Sequence, residues 1–170
     1  MTATNDKGDI AKLWKMVKHI KIAMLTTQES DGSLRSRPMH SHQVDDDGDI
    51  WFFTKASDHK SFEIRQHHQV NLAYAEPDDQ NYVSVSGTAE LVRDRSRIEA
   101  MWSEPLRAWF PRGTDDPDVA LIRVRPDYAE YWDSPSSTLV HLYGYAKAVV
   151  TGDSPKPGDN AKIDLGRAPR

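Results

Sequence analysis

Apolar and polar positions change their spacing several times along the chain, and each change marks a new element. The first segment has apolar residues at helical spacing: Ile10, Leu13, Trp14 and Val17. Asn5 or Asp6 can cap this helix, which we expect to run to about His19. Residues 20–27 then mix β-branched and other apolar side chains in alternation, and the turn-forming residues 30–33 follow, which together predict a hairpin.

Alternation with a period of two recurs in the rest of the chain and predicts strands. The further predicted strands span residues 35–40, 50–54, 69–75, 82–92, 119–124 and 128–133. The acidic turn at 45–48 allows the strand at 50–54 to pair back on the strand at 35–40. Gly87 lies inside a long strand and predicts a bulge or bend, and Pro126 separates the last two strands.

Helical segments and one aromatic loop lie between these strands. Ser57 or Asp58 can cap a short helix, Asp94 can cap another that ends near Pro105, and a last helix is predicted over 139–150. The loop that follows Pro105 carries several rings and apolar residues: Leu106, Trp109, Phe110 and Pro111. This loop is a candidate lid or interface segment, and ordinary core packing is the alternative.

The whole pattern favours a mainly β fold with peripheral helices, arranged as a closed antiparallel barrel. The 170 residues suit one domain, which we place at residues 1–150. Residues 151–170 are rich in Gly, Pro, Asp and Lys. They are interpreted as a disordered tail or as an arm docked on a partner subunit.

Composition excludes several classes of protein. A net charge of −4 argues against nonspecific nucleic-acid binding, and the absence of cysteine excludes disulfides and thiolate catalysis. There is no apolar run of about 20 residues and no signal-peptide pattern at the start, so no membrane association and a cytoplasmic location are expected. The low hydrophobic content of 38% beside five Trp and six Tyr favours a homodimer with aromatic residues at its interface.

The segment from Arg35 to Lys60 carries the main chemical signal. On a strand, Arg35, Arg37 and Met39 point to one face. Lys60 falls in the first turn of the helix that Asp58 can cap, where backbone N–H groups favour an anion and a cation alone is poorly placed. An anionic ligand resolves this conflict, and a phosphate is predicted. Surface ion pairs with carboxylates are the alternative for the two arginines.

Other chemistries are weaker in this sequence. His40 and His42 have a spacing that two metal ligands on a strand can use, but the neighbouring acids at 45–47 are more typical of a solvated turn, so no metal site is predicted. The chain contains neither Gly-x-Ser-x-Gly nor Gly-x-Gly-x-x-Gly. No side chain stands out as a general acid or base, so the catalytic residues stay unassigned.

The order and spacing of Arg37, Thr54 and Lys60 resemble the flavin-binding split-barrel family typified by pyridoxamine 5'-phosphate oxidase, and most closely its general stress protein branch. The resemblance covers residues 8–150, including the segments 82–87 and 131–133. It implies a split barrel that forms a homodimer, with a flavin bound at the interface. Arg37 matches the family's phosphate-binding arginine and Lys60 its lysine, while Thr54 ends the intervening strand.

The resemblance also implies a cofactor and its neighbours. The expected cofactor is FMN, with FAD as the other flavin to consider, and the expected substrate is an unidentified small molecule. The residues expected to contact the flavin are Arg37, Pro38, Met39, Phe53, Thr54, Lys60, Trp109, Phe110 and Trp132. Where the oxidase has Ser-Arg-Lys, this chain has Asp58-His59-Lys60, which removes one cation.

Three functions follow from these observations. The first is an FMN-dependent oxidoreductase acting on a small molecule and linked to stress response. The second is a stress protein that binds or buffers flavin without catalysis. The third is a split-barrel protein that holds a deazaflavin or haem.

Overall fold

The computed structural model describes residues 5–133 and 158–166. They form one antiparallel sheet of eight strands with helices around it. The strands are β1 Ile22–Gln28, β2 Leu34–His40, β3 Gln43–Val44, β4 Ile50–Lys55, β5 Gln69–Glu76, β6 Asn81–Val92, β7 Val119–Asp133 and β8 Asp159–Asp164. The α-helices are α1 Lys7–Ile20, α2 His59–Gln66 and α3 Arg95–Met101, and 3-10 turns occupy Glu104–Ala108 and Gly113–Asp115. The predicted mainly β class with peripheral helices is confirmed.

Hydrogen bonding orders the strands β2-β1-β5-β6-β7-β4-β3, and β8 adds to the far half of β7. In the part of the chain that the structure describes, β2 and β3 are not paired, so the sheet is not closed as a barrel. The predicted pairing of the strand at 50–54 with the strand at 35–40 is wrong, because β4 pairs with β3 and β7. All of β4 except Lys55 is buried, which requires an interior position, whereas β2 is mostly exposed at an edge.

The long strand β7 is continuous, in contrast to the predicted break at Pro126. Ser86 faces Tyr128 and Gly87 faces Pro126, so Asp127 has no residue opposite and forms a bulge. The predicted bulge at Gly87 is therefore confirmed. It divides β7 into a half that pairs with β4 and a half that pairs with β8.

Two apolar clusters form on opposite faces of β4. One face carries Phe52, which packs with buried residues of α1, β1, β5 and β6. The other carries Trp51 and Phe53, which pack with Ile98 of α3 and with Phe110 from the segment after it. Phe110 thus belongs to a core, as the alternative for the aromatic loop predicted, while Trp109 is 74% exposed.

The C-terminal prediction needs correction at one point. Residues 159–164, expected to be disordered or docked on a partner, form β8 against β7 of the same chain. The predicted helix over 139–150 lies outside the described residues. In the described ranges, no helix combines the length and the apolar character that a membrane crossing requires.

The outward face of the sheet carries several large side chains that the described residues leave exposed. Its large exposed side chains come from β1, β6 and β7: Ile22, Met24, Tyr82, Tyr128 and Trp132. Strand register joins them through Ala73 of β5, which is opposite Met24 on one side and Ser84 on the other. We call this surface the open sheet face.

Candidate cofactor site

A cavity of about 1040 Å³ opens between α1, the end of β2, β4 and the segment after α3. A volume of this size suits a small-molecule cofactor. Its wall is formed by Val17, Lys18, Lys21, Ile22, Pro38, Met39, His40, Ser41, His42, Val44, Phe53, Thr54, Lys55, Asp58, Lys60, Ser103, Pro105, Leu106, Trp109 and Phe110.

Aromatic side chains make one wall of the cavity rigid. Phe53 of β4 contacts Trp102 with ring centroids 5.9 Å apart and Phe110 with centroids 6.2 Å apart. The edge of the Phe53 ring also meets His42, whose centroid lies 5.0 Å away. These tilted and edge contacts fix the ring of Phe53 in the wall. Trp109 stands beside them largely exposed, so its ring is available to cover a bound ligand.

His42 is held as a neutral side chain in this wall. Burial lowers the pKa of His42, a hydrogen bond with the backbone of Met101 raises it in part, and the neighbouring His40 lowers it. Its backbone N–H donates to the carbonyl of Trp51 at 2.8 Å, which ties the segment after β2 to β4. Because the pKa lies below the usual value of about 6.5, the imidazole is uncharged at neutral pH.

Lys60 marks the end of the cavity where β4 leads into α2. Its ammonium forms an ion pair with Asp58, the N-cap residue of α2, whose side chain makes no capping hydrogen bond to the helix. Burial alone would raise the pKa of Asp58, but the hydrogen bond and charge of Lys60 outweigh it, so the pKa of this carboxyl is lowered. Thr54 lies within 3.5 Å of the same carboxylate. A phosphate bound here would compete with Asp58 for Lys60.

Arg37 is placed differently from Lys60. Its guanidinium donates to the hydroxyl of Thr27 and, at 2.9 Å, to the carboxylate of Glu63 in α2. The Thr27 hydroxyl in turn donates to Glu63 at 2.5 Å. Arg37 and Met39 are the two half-buried residues of β2 and share one face, as the alternation predicts, but only Met39 reaches the cavity wall. The phosphate role of Arg37 stays a prediction.

The groups around Glu63 favour its charged form. Burial by itself would raise the pKa of Glu63, but hydrogen bonds from Thr27 and His59 and the guanidinium of Arg37 together lower it. Arg35 on the same strand forms the surface ion pair with Glu29, at 3.2 Å, that the alternative interpretation expects. The network therefore joins β1, β2 and α2 and holds the helix that carries Lys60.

The structure brings seven of the predicted cofactor residues to one cavity: Pro38, Met39, Phe53, Thr54, Lys60, Trp109 and Phe110. Arg37 and Trp132 are not among its lining residues. Trp132 is opposite Tyr82 in the sheet and lies on the open sheet face.

Sequence reasoning missed Lys18, Lys21 and Lys55 as wall residues and considered His40 and His42 only as metal ligands. The helical lysines carry no local signal, since basic residues are common in the last turn of a helix. Alternation along β4 predicts that Lys55 and Thr54 point to opposite faces of the strand. Only the tertiary structure shows that both residues line the same cavity.

Comparison with known proteins now decides the family. The model of the family described as "Pyridoxamine 5'-phosphate oxidase like" matches residues 8–156. The chain belongs to this pyridoxamine 5'-phosphate oxidase-like family. A curated member, protein bli-3 of Neurospora crassa, is 30% identical over 142 residues, which cover 78% of this chain and 68% of the relative.

Solved structures of the family agree in fold. A protein assigned to general stress protein 26 from Jannaschia sp. CCS1 superposes with a TM-score of 0.73 at 28% identity, covering 92% of this chain and 99% of that one. The general stress FMN/FAD binding protein of Xanthomonas citri gives a TM-score of 0.65 at 31% identity, covering 74% of this chain and 89% of that one. The resemblance to the general stress protein branch is thereby confirmed.

The residues of this family member fit a flavin in three respects. A flat tricyclic ring matches a wall of Met39, Phe53 and Phe110. A phosphate matches the cationic end at Lys60, where the side chain is only 15% exposed and a charge-assisted hydrogen bond is therefore strong. Phe53 and Thr54 of β4 lie between the two features, so one strand would set the spacing of a ring and a phosphate bound there.

Proposed function

We propose that this protein binds FMN in the cavity beside β4 and works as a flavin-dependent oxidoreductase acting on a small molecule. The observation that carries the proposal is the conjunction of Lys60 with the aromatic wall around Phe53 in one cavity. The similarity to a relative named for FMN/FAD binding supports it.

Each part of the cavity has a separate task in this proposal. When bound, the flavin supplies the hydride or electron transfer chemistry, which protein side chains lack. Lys60 holds the phosphate, Met39 and Phe53 support the ring, and Trp109 covers it and excludes water. The uncharged imidazole of His42 accepts or donates a hydrogen bond at the edge of the ring without adding charge.

The test is a fluorescence titration of FMN against the purified protein and its Lys60→Met variant. Loss of a charge-assisted hydrogen bond costs about 1–3 kcal/mol, so the dissociation constant should rise by about 5- to 150-fold. Lys7→Met is the matched control, because Lys7 begins α1 and is exposed. Absence of FMN binding by the native chain, or equal affinity in the Lys60 variant, would refute the proposal.

The prediction for Arg37 requires a separate variant. Arg37→Ala is also expected to weaken FMN binding by about 1–3 kcal/mol. Because Arg37 pairs with Glu63, Glu63→Gln serves as the comparison. A direct contact with phosphate is supported if Arg37→Ala lowers FMN affinity more than Glu63→Gln does, and equal effects point to an action through α2.

We further propose that two copies associate through the open sheet face. Five large apolar or aromatic side chains are exposed there in the described part of the chain, and clusters of this kind commonly mark interaction surfaces. Ile22, Pro38 and His40 lie where this face meets the cavity. A partner subunit seated on the face would therefore complete the cavity wall, and the flavin would lie at the interface.

Flavin binding without catalysis is the second candidate. The carboxylate in the described wall of the cavity, Asp58, is engaged by Lys60 and so is a poor general base. Anaerobic stopped-flow mixing of the FMN-loaded protein with NADH or NADPH separates the two functions. Reduction within seconds supports an oxidoreductase, and persistent oxidised flavin supports a binding or buffering role. The link to stress response is inferred from the names of the relatives.

A further inference from the structure

The cavity wall is strongly basic although the chain as a whole carries a charge of −4. Its described part is lined by four basic residues, Lys18, Lys21, Lys55 and Lys60, and by one acidic residue, Asp58. Since Asp58 is already paired with Lys60, the positive charge of the other lysines is not neutralised within the wall. With a neutral ligand, or with a ligand that carries a single phosphate, several of these lysines would have no anionic partner in the cavity.

The basic groups lie at two separate ends. Lys55 and Lys60 stand where β4 ends and α2 begins. Lys18 and Lys21 stand at the end of α1, and His40 joins them because it is opposite Ile22 in the β1–β2 register. We call the second set the α1 end of the cavity.

Backbone contacts allow an estimate of the separation. The carbonyl of Lys21 accepts from Ser41 N–H at 2.7 Å, and the next residue along, His42, is bonded to Trp51 at the start of β4. Lys55 is four positions further along β4 than Trp51, which corresponds to about 13 Å between the two backbones. The two sets of lysines are therefore attached to the backbone at separate points of the cavity wall.

Lys21 also has an unusual backbone for its residue type. Its φ of 64° lies in the left-handed region, at the C-cap of α1, where glycine ends a helix without strain. A basic residue near a helix C-terminus does interact favourably with the helix dipole. Lys18 already provides a cation in the last turn of α1. The helix dipole therefore does not explain why a lysine, rather than glycine, occupies position 21.

In the described part of the chain, neither Lys18 nor Lys21 has a carboxylate within ion-pair distance. Both side chains are exposed at the cavity, close to its apolar wall at Ile22. Backbone strain of the kind found at Lys21 is frequent at binding sites and active sites.

From these observations we propose that the α1 end of the cavity is a second anion site, which binds the phosphate or carboxylate group of the reactant that meets the flavin. The inference rests on the proposed function, because it takes FMN as the ligand bound at the Lys60 end. It narrows the substrate class to anions and excludes neutral quinones and aldehydes as preferred reactants. The carboxylate or phosphate anchors the molecule, and the apolar wall positions its uncharged part over the ring.

The first experiment uses inorganic pyrophosphate as the probe and calorimetry as the readout. It compares the native chain, Lys60→Met and the double variant Lys18→Met/Lys21→Met, each with and without FMN. FMN should displace pyrophosphate from the Lys60 end only. We expect the FMN-loaded native protein to bind pyrophosphate still, and the double variant to bind it at least about tenfold more weakly. Lys7→Met/Lys15→Met is the control with the same loss of charge.

Two results would overturn the inference. One is a lack of pyrophosphate binding by both the FMN-loaded native protein and the flavin-free Lys60→Met variant. The other is equal loss of affinity in the control and the double variant, which would indicate net charge alone. If FMN itself fails to bind, the proposed function falls, while the flavin-free Lys60→Met variant still tests the second site.

A second variant separates binding from folding. Lys21→Gly suits the left-handed backbone, so the melting temperature should stay equal or rise by about 1–4 °C. The same change removes one cation and should weaken pyrophosphate binding to the FMN-loaded protein at least about fivefold. Unchanged affinity in a stable Lys21→Gly protein would contradict the proposal. A parallel titration with NADPH and with 1-benzyl-1,4-dihydronicotinamide, which lacks phosphate, should show weakening for NADPH only.

Discussion

The network of Arg37, Thr27 and Glu63 is the clearest electrostatic feature at the scale of single residues. Thr27 lies on β1 and Arg37 on β2, while Glu63 lies in α2. The pattern of β2 was sufficient to predict that Arg37 and Met39 share one face. It could not predict the partner, because Glu63 is 26 residues away and reaches Arg37 only when α2 packs near β1.

Glu63→Gln should change how the free energy of unfolding depends on pH in the acidic range. The pKa of Glu63 is lowered in the folded chain, so its carboxylate stabilises the fold above the ordinary value of about 4.3 and loses this effect as pH falls through the lower folded value. At neutral pH the variant should be less stable by about 1–3 kcal/mol. Between about pH 5 and pH 3 the native chain should lose more stability than the variant.

Urea denaturation across this pH range measures the effect. Glu29→Gln is the control, since Glu29 pairs with Arg35 at the surface and such pairs contribute at most about 1 kcal/mol. Parallel pH profiles for the native chain and Glu63→Gln would show that folding does not lower the pKa of Glu63, and would contradict the prediction.

At the scale of elements, the bulge at Gly87 decides how the sheet divides. A Cβ at this position would overlap with the carbonyl of Arg125 on β7, which belongs to the backbone and cannot rotate away. Gly87→Ala should therefore cost more than about 2 kcal/mol in unfolding free energy. In Gly8→Ala, the added methyl group meets only the side chain of Asp6, and a change within about 1 kcal/mol is expected.

Thermal and chemical denaturation of both glycine variants check this prediction. If Gly87→Ala is as stable as the native chain, β6 and β7 must separate there at little cost, and the bulge would not set the sheet geometry. The presence of a bulge was predictable, since glycine in a long strand has few other uses. The consequence of the bulge is that β7 pairs with both β4 and β8 along one edge. This pairing depends on residues that are distant in the sequence.

At the scale of the whole molecule, the open sheet face should determine the oligomeric state. Met24 lies on this face at 41% exposure, and a charge in its place would be buried by a partner subunit. Met24→Glu should shift a dimer to monomer at micromolar concentration in sedimentation velocity. Phe62→Glu, which alters an exposed ring on α2, should leave the dimer intact. A native chain that sediments as a monomer would contradict the proposed interface.

Loss of the dimer should also affect the cofactor. Because the open sheet face meets the cavity at Ile22 and Pro38, a monomer would leave part of the cavity wall open to water. Met24→Glu should therefore weaken FMN binding although it changes no cavity residue. Full FMN affinity in a monomeric variant would place the complete site within one subunit.

The sequence alone determined the features that depend on local spacing. Helix α1 with a cap at Asn5 or Asp6, the β1–β2 hairpin, the Asp94 cap and the bulge at Gly87 all follow from periodicity, capping and turn chemistry. These are short-range effects, and neighbouring residues suffice to produce them. The order and spacing of Arg37, Thr54 and Lys60 likewise carried the resemblance to the family.

Only the tertiary structure decided which strands are neighbours and which charges meet. Burial of both faces of β4 moves it next to β7 and away from β2, and a strand near the C-terminus completes the sheet where a loose tail was expected. The same packing pairs Arg37 with Glu63 and brings Lys18 and Lys21 to the cavity. Such pairings depend on the apolar area that each arrangement buries, a property of the whole chain that local spacing does not contain.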